Sequence, residues 1–515
     1  MATETDEVIA VVSPRSLGPT SLFDVKETIT SQSVQSFHSK DTDVRDAKSE
    51  LRRLGFNVYD DASNETTVSI GGSAKLFKDV FGAKLKKETM ETHPGEKVSF
   101  MGTGEDPEAQ VLQAPGELAN LIEGAVIARP PIYFAPSPIP PVEPIDPAAY
   151  QYLFVPNDVA VILRSARVHR MGVTGKNVVV GMLDTGHYRH PFFTWHGYRL
   201  LATLLAPGAA DPGEDSSGHG TGESANIFAN SPDCRLRPVK MGNDVVGAIN
   251  TAMGSTPKPQ ILTNSWGYDV DFPGQSLPNW LKPLEAAVAN AVASGVVVCF
   301  SAGNGHRGFP GSHPEVISVG GVHVNYPALS LEASSYASSF VSSFYSGRKV
   351  PDICGLTGKR VAIGGGDKAP SLMLPVQAGA NLDGIAPSTG SSNDGWGLFS
   401  GTSAACPQVA GVCALMLEKD PTLTPAALKQ KLMDGARDVT QGQTAMGDTA
   451  VAGNDLATGA GLVDAKWAYL RTMGDVAATF LTAPREDQLA MVQSGSMPEV
   501  PKEFIEDLME TLRSR

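Results

Sequence analysis

The sequence predicts an α/β protein: a large domain with a mostly parallel central sheet between two helical layers, preceded by a small α+β domain. Three observations predict it. Short apolar runs such as NVVVGML, ILTNSWG and VVVCFSAGN end in Gly, Ser, Asn or Asp. Segments with helical patterning, LEAAVANAVASG among them, lie between these runs. Buried strands alternating with helices make a parallel sheet covered on both faces. The composition also changes near residue 150, after a stretch dense in proline.

The small unit comes first, over 1–125, with an ordered core expected from about 20 to 95. Val44, Ala47, Leu51 and Leu54 recur at helical spacing. TTVSI, from Thr66 to Ile70, alternates like a strand, and Leu76, Phe77, Val80 and Phe81 mark a second helix face. Residues 126–150 contain RPPIYFAPSPIPPVEPIDP. Proline at that density favours extended backbone, so this is a linker or a strap. The large domain occupies 151–470. The tail, 471–515, carries one amphipathic helix with Phe504, Ile505, Leu508, Met509 and Leu512 on one face, expected to pack on its own domain.

Bulk properties narrow the function. Of 515 residues, 42% are hydrophobic and 19% charged, which suits a folded chain and not a disordered one. The net charge of -14 supplies no basic stripe for nucleic acid. No apolar run is long enough to span a bilayer. The start, MATETDEVIAVVSPRS, lacks a basic segment followed by an apolar one, so no secretory leader is read there. The five cysteines, Cys234, Cys299, Cys354, Cys406 and Cys413, form no CxxC pair. An odd, sparse set reads as reduced thiols, and a cytoplasmic protein is the expectation.

Three segments carry chemistry. In VVVGMLDTGHYRHP, Asp184 ends an apolar strand; alone it could be a turn residue, a metal ligand or a phosphate acceptor. In SSGHGTGESANIFA, His219 sits between glycines before a helical segment, where a capping or core histidine is equally natural. In FSGTSAACPQVAGVCALML, Ser403 opens an apolar helix, the usual place for an N-cap, with Pro407 expected in the first turn.

Together these stretches resemble the subtilisin-like (S8) serine peptidase family, in the order Asp, His, Ser. GTSAACPQVAG resembles the family's nucleophile motif and GHGTG its histidine motif. The likeness runs from about Val178 to Ala465 and includes NSWG, SAGNG, VPDICG and NDLATGAGLVDA. It implies a subtilisin-like three-layer fold and a serine endopeptidase that cuts proteins through an acyl-enzyme. It implies Asp184, His219 and Ser403 as the triad, and Asn304 with the Ser403 N–H as the oxyanion hole. It also implies that Ser265, Trp266 and Gly267, and Ser301, Ala302 and Gly303, are backbone edges for an extended substrate. Trp266 could equally be core. No cofactor is called for. The His219 segment runs almost directly into SPDCRLRPVKM, without the loop that binds structural calcium in many relatives, so no metal is expected there.

LRRLGFNVYDDASNETTVSIGGSAKLFKDVFGAKL is similar to peptidase activation prodomains. That resemblance implies a self-inhibited precursor, a zymogen whose N-terminal unit is its partner in cis. A separate binding domain is the alternative for this unit. For the whole chain, the competing readings are a pseudo-peptidase that binds without cutting and a serine esterase. Retention of all four catalytic positions disfavours the first, and the lack of a GxSxG elbow disfavours the second.

Overall fold

The computed structural model describes residues 7–93, 96–104, 111–133 except 117, 153–325 and 329–383 except 360, 364–365 and 369–371. It also describes 395–473 and a few positions up to 491. The amphipathic segment expected at 504–512 lies outside the described residues, as does the strap from 134 to 150.

The N-terminal unit is a five-stranded sheet with helices Asp41–Arg53 and Ala74–Phe81 against it. Its spatial order is Asn57–Tyr59, Val68–Ser73, Glu7–Pro14, Ile122–Ile127, Val111–Gln113. The expected core of 20–95 is therefore too short at both ends. Glu7–Pro14 is the middle strand, paired antiparallel with Val68–Ser73 and with Ile122–Ile127. Its run VIAVV is apolar because both of its faces are buried. A boundary at 125 would cut the strand that flanks it. The alternating segment starts two residues later than expected, at Val68. Thr66 and Thr67 instead donate their N–H groups to the side chain of Asn64.

The large domain is built on a nine-stranded sheet. Its central strands run Arg235–Lys240, Val179–Asp184, Ile261–Asn264, Val297–Ser301, Ile317–Asn325, each parallel to its neighbour. Among the described strands of this sheet, only Ser330–Ala333 runs antiparallel. One face is covered by the helices His219–Asn230 and Thr402–Lys419. The other is covered by Val245–Gly254 and Lys282–Ala293. The three-layer α/β expectation holds. Among the described residues, no helix is long and apolar enough to cross a membrane.

The N-terminal unit lies on the second helical layer. Asn250 Nδ2 donates to the Ala62 carbonyl at 3.1 Å and to Thr67 Oγ1 at 3.0 Å. Its Oδ1 accepts from Asn64 Nδ2 at 2.9 Å. Asn290 Nδ2 donates to Thr66 Oγ1 at 3.0 Å. Leu22, Ile29, Val34 and Phe37 form an apolar patch against Ala286 and Ala289.

Candidate active site

Asp184 is the last residue of its strand, at the carboxyl edge of the sheet where side chains of such folds converge. Its Oδ1 lies 2.7 Å from His219 Nδ1. His219 opens its helix, and the loop before it is tied to the Asp184 strand. Thr185 Oγ1 donates to Asp215 Oδ1 at 2.8 Å, and the Gly220 N–H donates to Thr185 Oγ1 at 3.0 Å. Asp215 also accepts from the Gly218 and Thr221 N–H groups, so the turn into the helix is fixed by one buried carboxylate. Burial alone would push the His219 imidazole down. Asp184 chiefly, then Glu223 and Asp215, hold it well above its ordinary value instead.

Ser403 is the second residue of the helix Thr402–Lys419. The chain turns from the strand Trp396–Phe399 into this helix at Gly401, whose φ of 105° is open only to glycine. Pro407 lies inside the helix and not in its first turn as expected. A proline there has no N–H to give the carbonyl four residues back, which is that of Ser403. That carbonyl accepts from Ser265 Oγ at 3.0 Å. Ser403 Oγ in turn donates to the Ser265 carbonyl at 3.5 Å. The Ser403 N–H, at a helix start, is among those with no intrahelical acceptor.

Asn304 is oriented by Thr402. Its Oδ1 accepts from the Thr402 N–H at 2.8 Å and from Thr402 Oγ1 at 3.1 Å. Nδ2 is thereby left as a buried donor with no hydrogen-bond partner among the described residues. A free amide donor held through the residue next to Ser403, together with the Ser403 N–H, can hold an oxygen that develops negative charge. Thr402 was not singled out from the sequence, although it adjoins the serine.

One of the two backbone segments differs from expectation. Ser265, Trp266 and Gly267 do present an edge, and the strand Ile132–Tyr133 is paired on it antiparallel, Tyr133 opposite Trp266 and Ile132 opposite Gly267. The Trp266 side chain is core: it is fully buried, donates Nε1 to the Leu183 carbonyl at 3.1 Å and packs edge-on against Phe300. Ser301, Ala302 and Gly303 do not form a second edge, because their main-chain groups are already engaged. The Ala302 N–H donates to the Val319 carbonyl, the Gly303 N–H to Thr402 Oγ1, and the Gly303 carbonyl accepts from the Ser338 N–H. This segment anchors Asn304 instead.

The model of the Peptidase_S8, or subtilase, family matches residues 175–461. The chain belongs to the subtilase family. This subtilase is a serine endopeptidase, a hydrolase acting on peptide bonds. It is 28% identical over 314 residues to subtilisin E of Bacillus subtilis (strain 168), covering 56% of this chain and 68% of that one. It is also 28% identical over 289 residues to the serine protease AprX of the same organism, covering 51% of this chain and 62% of the relative. Among solved structures it resembles fervidolysin from Fervidobacterium pennivorans, a keratinolytic enzyme related to subtilisin. The TM-score is 0.52 at 18% identity, over 90% of this chain and 61% of that one.

Among the described residues no group of three or more His, Cys, Asp or Glu side chains is placed to hold a metal. The five cysteines are free and buried, including Cys406 and Cys413 on the Ser403 helix.

Proposed function

We propose that this subtilase cuts proteins with Ser403 as nucleophile, His219 as base and Asp184 as its orienting carboxylate, and that the chain is made as a self-inhibited precursor. Ser403 Oγ attacks the peptide carbonyl while its proton passes to His219 Nε2. The imidazole then returns that proton to the leaving amine. Asp184, on Nδ1, fixes the tautomer and stabilises the imidazolium. Asn304 Nδ2 and the Ser403 N–H receive the negative oxygen. Acyl-enzyme hydrolysis repeats the sequence with water.

The observation that carries the precursor reading is the strand Ile132–Tyr133 paired on Trp266–Gly267. An extended peptide added to an edge is how a substrate is held with little demand on its sequence. Here the added strand belongs to the chain itself, immediately after the N-terminal unit. Tyr133 pairs one residue from Ser265, whose carbonyl touches Ser403 Oγ. Arg129 continues the docking: its carbonyl accepts from Tyr268 Oη at 2.7 Å and its guanidinium lies 5.2 Å over the Trp280 ring. Asp184, His219 and Ser403 are at most 1% exposed in the full chain, as a closed site requires. Tethering raises the effective concentration of such a strap to about millimolar, so a weak inhibitor suffices.

The test is the mass of purified protein. Wild type should lose its N-terminal unit with a cut within a few residues after Tyr133, and Ser403→Ala should stay full length. Full activity in uncut protein would refute the inhibitory role and favour a recruitment domain.

We further place the protein in the cytoplasm. Five buried free thiols support a reducing compartment. Recovery of the native protein in the culture medium, and not in the cell, would overturn that placement.

A further inference from the structure

Glu223 is a buried carboxyl that the peptidase mechanism does not use. It lies one turn after His219 on the same helix face, and both side chains are at most 1% exposed. Its Oε1 is 3.7 Å from His219 Nε2, the nitrogen that must take the Ser403 proton. That oxygen has no hydrogen-bond partner among the described residues. The other oxygen is held: Oε2 accepts from Asn226 Nδ2 at 3.0 Å. Asn226 Oδ1 accepts from Gln408 Nε2 at 3.2 Å. Gln408 sits on the Ser403 helix and is fixed by the Leu356 main chain, donating to its carbonyl at 3.1 Å and accepting from its N–H at 2.8 Å. A chain of three side chains therefore runs from the nucleophile's helix to the base. Beside this chain, Gly222 makes room for the Phe399 ring, whose centroid lies 6.1 Å from that of His219.

We propose that Glu223 is a positioning residue of the base: its carboxyl, held by Asn226 and Gln408, competes with Ser403 for the proton of His219 Nε2 and sets the pH at which the base becomes available. The proposal rests on the assignment of His219 as the base. A negative group beside Nε2 favours the imidazolium, and an imidazolium cannot accept the serine proton. Other charges facing the pair are Asp184 on the Nδ1 side and Asp215 in the loop before the helix. From the Ser403 helix, the Cys406 thiol faces Glu223. Burial pushes the Glu223 carboxyl up, and the charge on His219 opposes that shift.

The experiment measures the rate at which a small fluorophosphonate labels Ser403 as a function of pH, in the purified full-chain product. It compares wild type with Glu223→Gln and Glu223→Asp. The Gln variant keeps shape and the contact to Asn226 but cannot ionise. Its acid limb should move down by about one pH unit or more and titrate as a single group. The Asp variant keeps the charge, and its limb should stay near that of the wild type. An unmoved limb in Glu223→Gln, or equal shifts in both variants, overturns the proposal. If Glu223→Gln does not fold, Asn226→Asp adds a charge to the same chain, and its limb should move up; no movement again overturns it. Wild type that stays unlabelled at every pH after its N-terminal unit has been cut away would instead fail the assignment of Ser403 and His219.

Discussion

Ser265 gives its hydroxyl to the main-chain carbonyl of Ser403 at 3.0 Å, a carbonyl that Pro407 deprives of its helical donor. The contact locks the helix start to the strand edge on which substrate would lie. Ser265→Ala leaves a buried carbonyl unpaired, at a cost of about 1–3 kcal/mol. The same change loosens the nucleophile, and kcat should fall about tenfold with little change in KM. Pro407→Ala restores a helical N–H to that carbonyl. The double variant should therefore recover most of the stability lost in Ser265→Ala. Denaturant melts of the four proteins in a Ser403→Ala background check this, and strict additivity would refute the linkage.

Thr402 holds Asn304 by its Oδ1, which leaves Nδ2 as the proposed second oxyanion donor. Asn304→Leu should lower kcat by about 10²–10³ with a small effect on KM. Thr402→Val removes the bond to Asn304 Oδ1 but keeps the N–H contact, so its loss should be smaller and of the same kind. Equal KM and kcat changes would place Asn304 in substrate binding and not in the oxyanion hole.

His187 makes stability fall in acid. It is buried, 4.8 Å from the Phe193 ring, and its Nδ1–H donates to Ser224 Oγ at 2.9 Å, since that hydroxyl donates onward to the Gly220 carbonyl. Burial first, and Arg189 second, push its pKa down to about 3. The folded state thus refuses a proton that the unfolded chain takes below about 6.5. The contribution is whole above that pH and is lost as pH falls through the folded value, at about 1.4 kcal/mol per unit. His187→Gln should flatten the acid slope by up to one proton. Urea melts of Ser403→Ala protein between neutral and mildly acidic pH measure it, and an unchanged slope would sink the account.

The legible parts of the sequence were those where one segment carries its own signal. The apolar strand that ends at Asp184 and the apolar helix that starts near Ser403 are such local signals, but the triad roles of the two residues rest on the ordered motifs that resemble the subtilase family. Partner choice is different, because it is set by segments far apart in the chain. Glu7–Pro14 is the middle of a sheet whose other strands lie far along the chain. Trp266 could be read as pocket or core, and only the Leu183 carbonyl beneath it decides. Ser301–Gly303 looks like a free edge until Val319, Thr402 and Ser338 are seen to fill its main-chain bonds. Glu223 had a sequence signal, a lone acid one turn after His219, but nothing local shows that it faces Nε2.

Metal removal should leave this enzyme's stability essentially unchanged. The His219 helix ends at Asn230, and the next strand begins at Arg235. The turn between them is closed by its own bonds, Ser231 N–H to the Ile227 carbonyl and Cys234 N–H to that of Ser231. A metal bound only to the folded state would add stability by mass action. A melting temperature that drops by many degrees with EDTA and recovers with calcium would show a site elsewhere in the chain.

Asn250 should govern how firmly the N-terminal unit sits. It lies on the helix Val245–Gly254, is 5% exposed and faces the unit. Both its donors and its acceptor are engaged across the boundary, with Ala62, Thr67 and Asn64. Asn250→Leu removes all three bonds and leaves the partner groups of the unit without them. Each net bond contributes about 0.5–1.5 kcal/mol, so docking should weaken by at least about tenfold. The measurement uses full-length Ser403→Ala protein, in which the unit cannot be cut away. Amide exchange along Val245–Gly254 should rise by that factor, while Ile261–Asn264 in the central sheet should not change. In the active chain the same substitution should speed the appearance of peptidase activity and leave final kcat/KM unaltered, because the residue touches no part of the triad. Equal exchange in both proteins would show that the apolar patch around Ile29 and Phe37 holds the unit by itself.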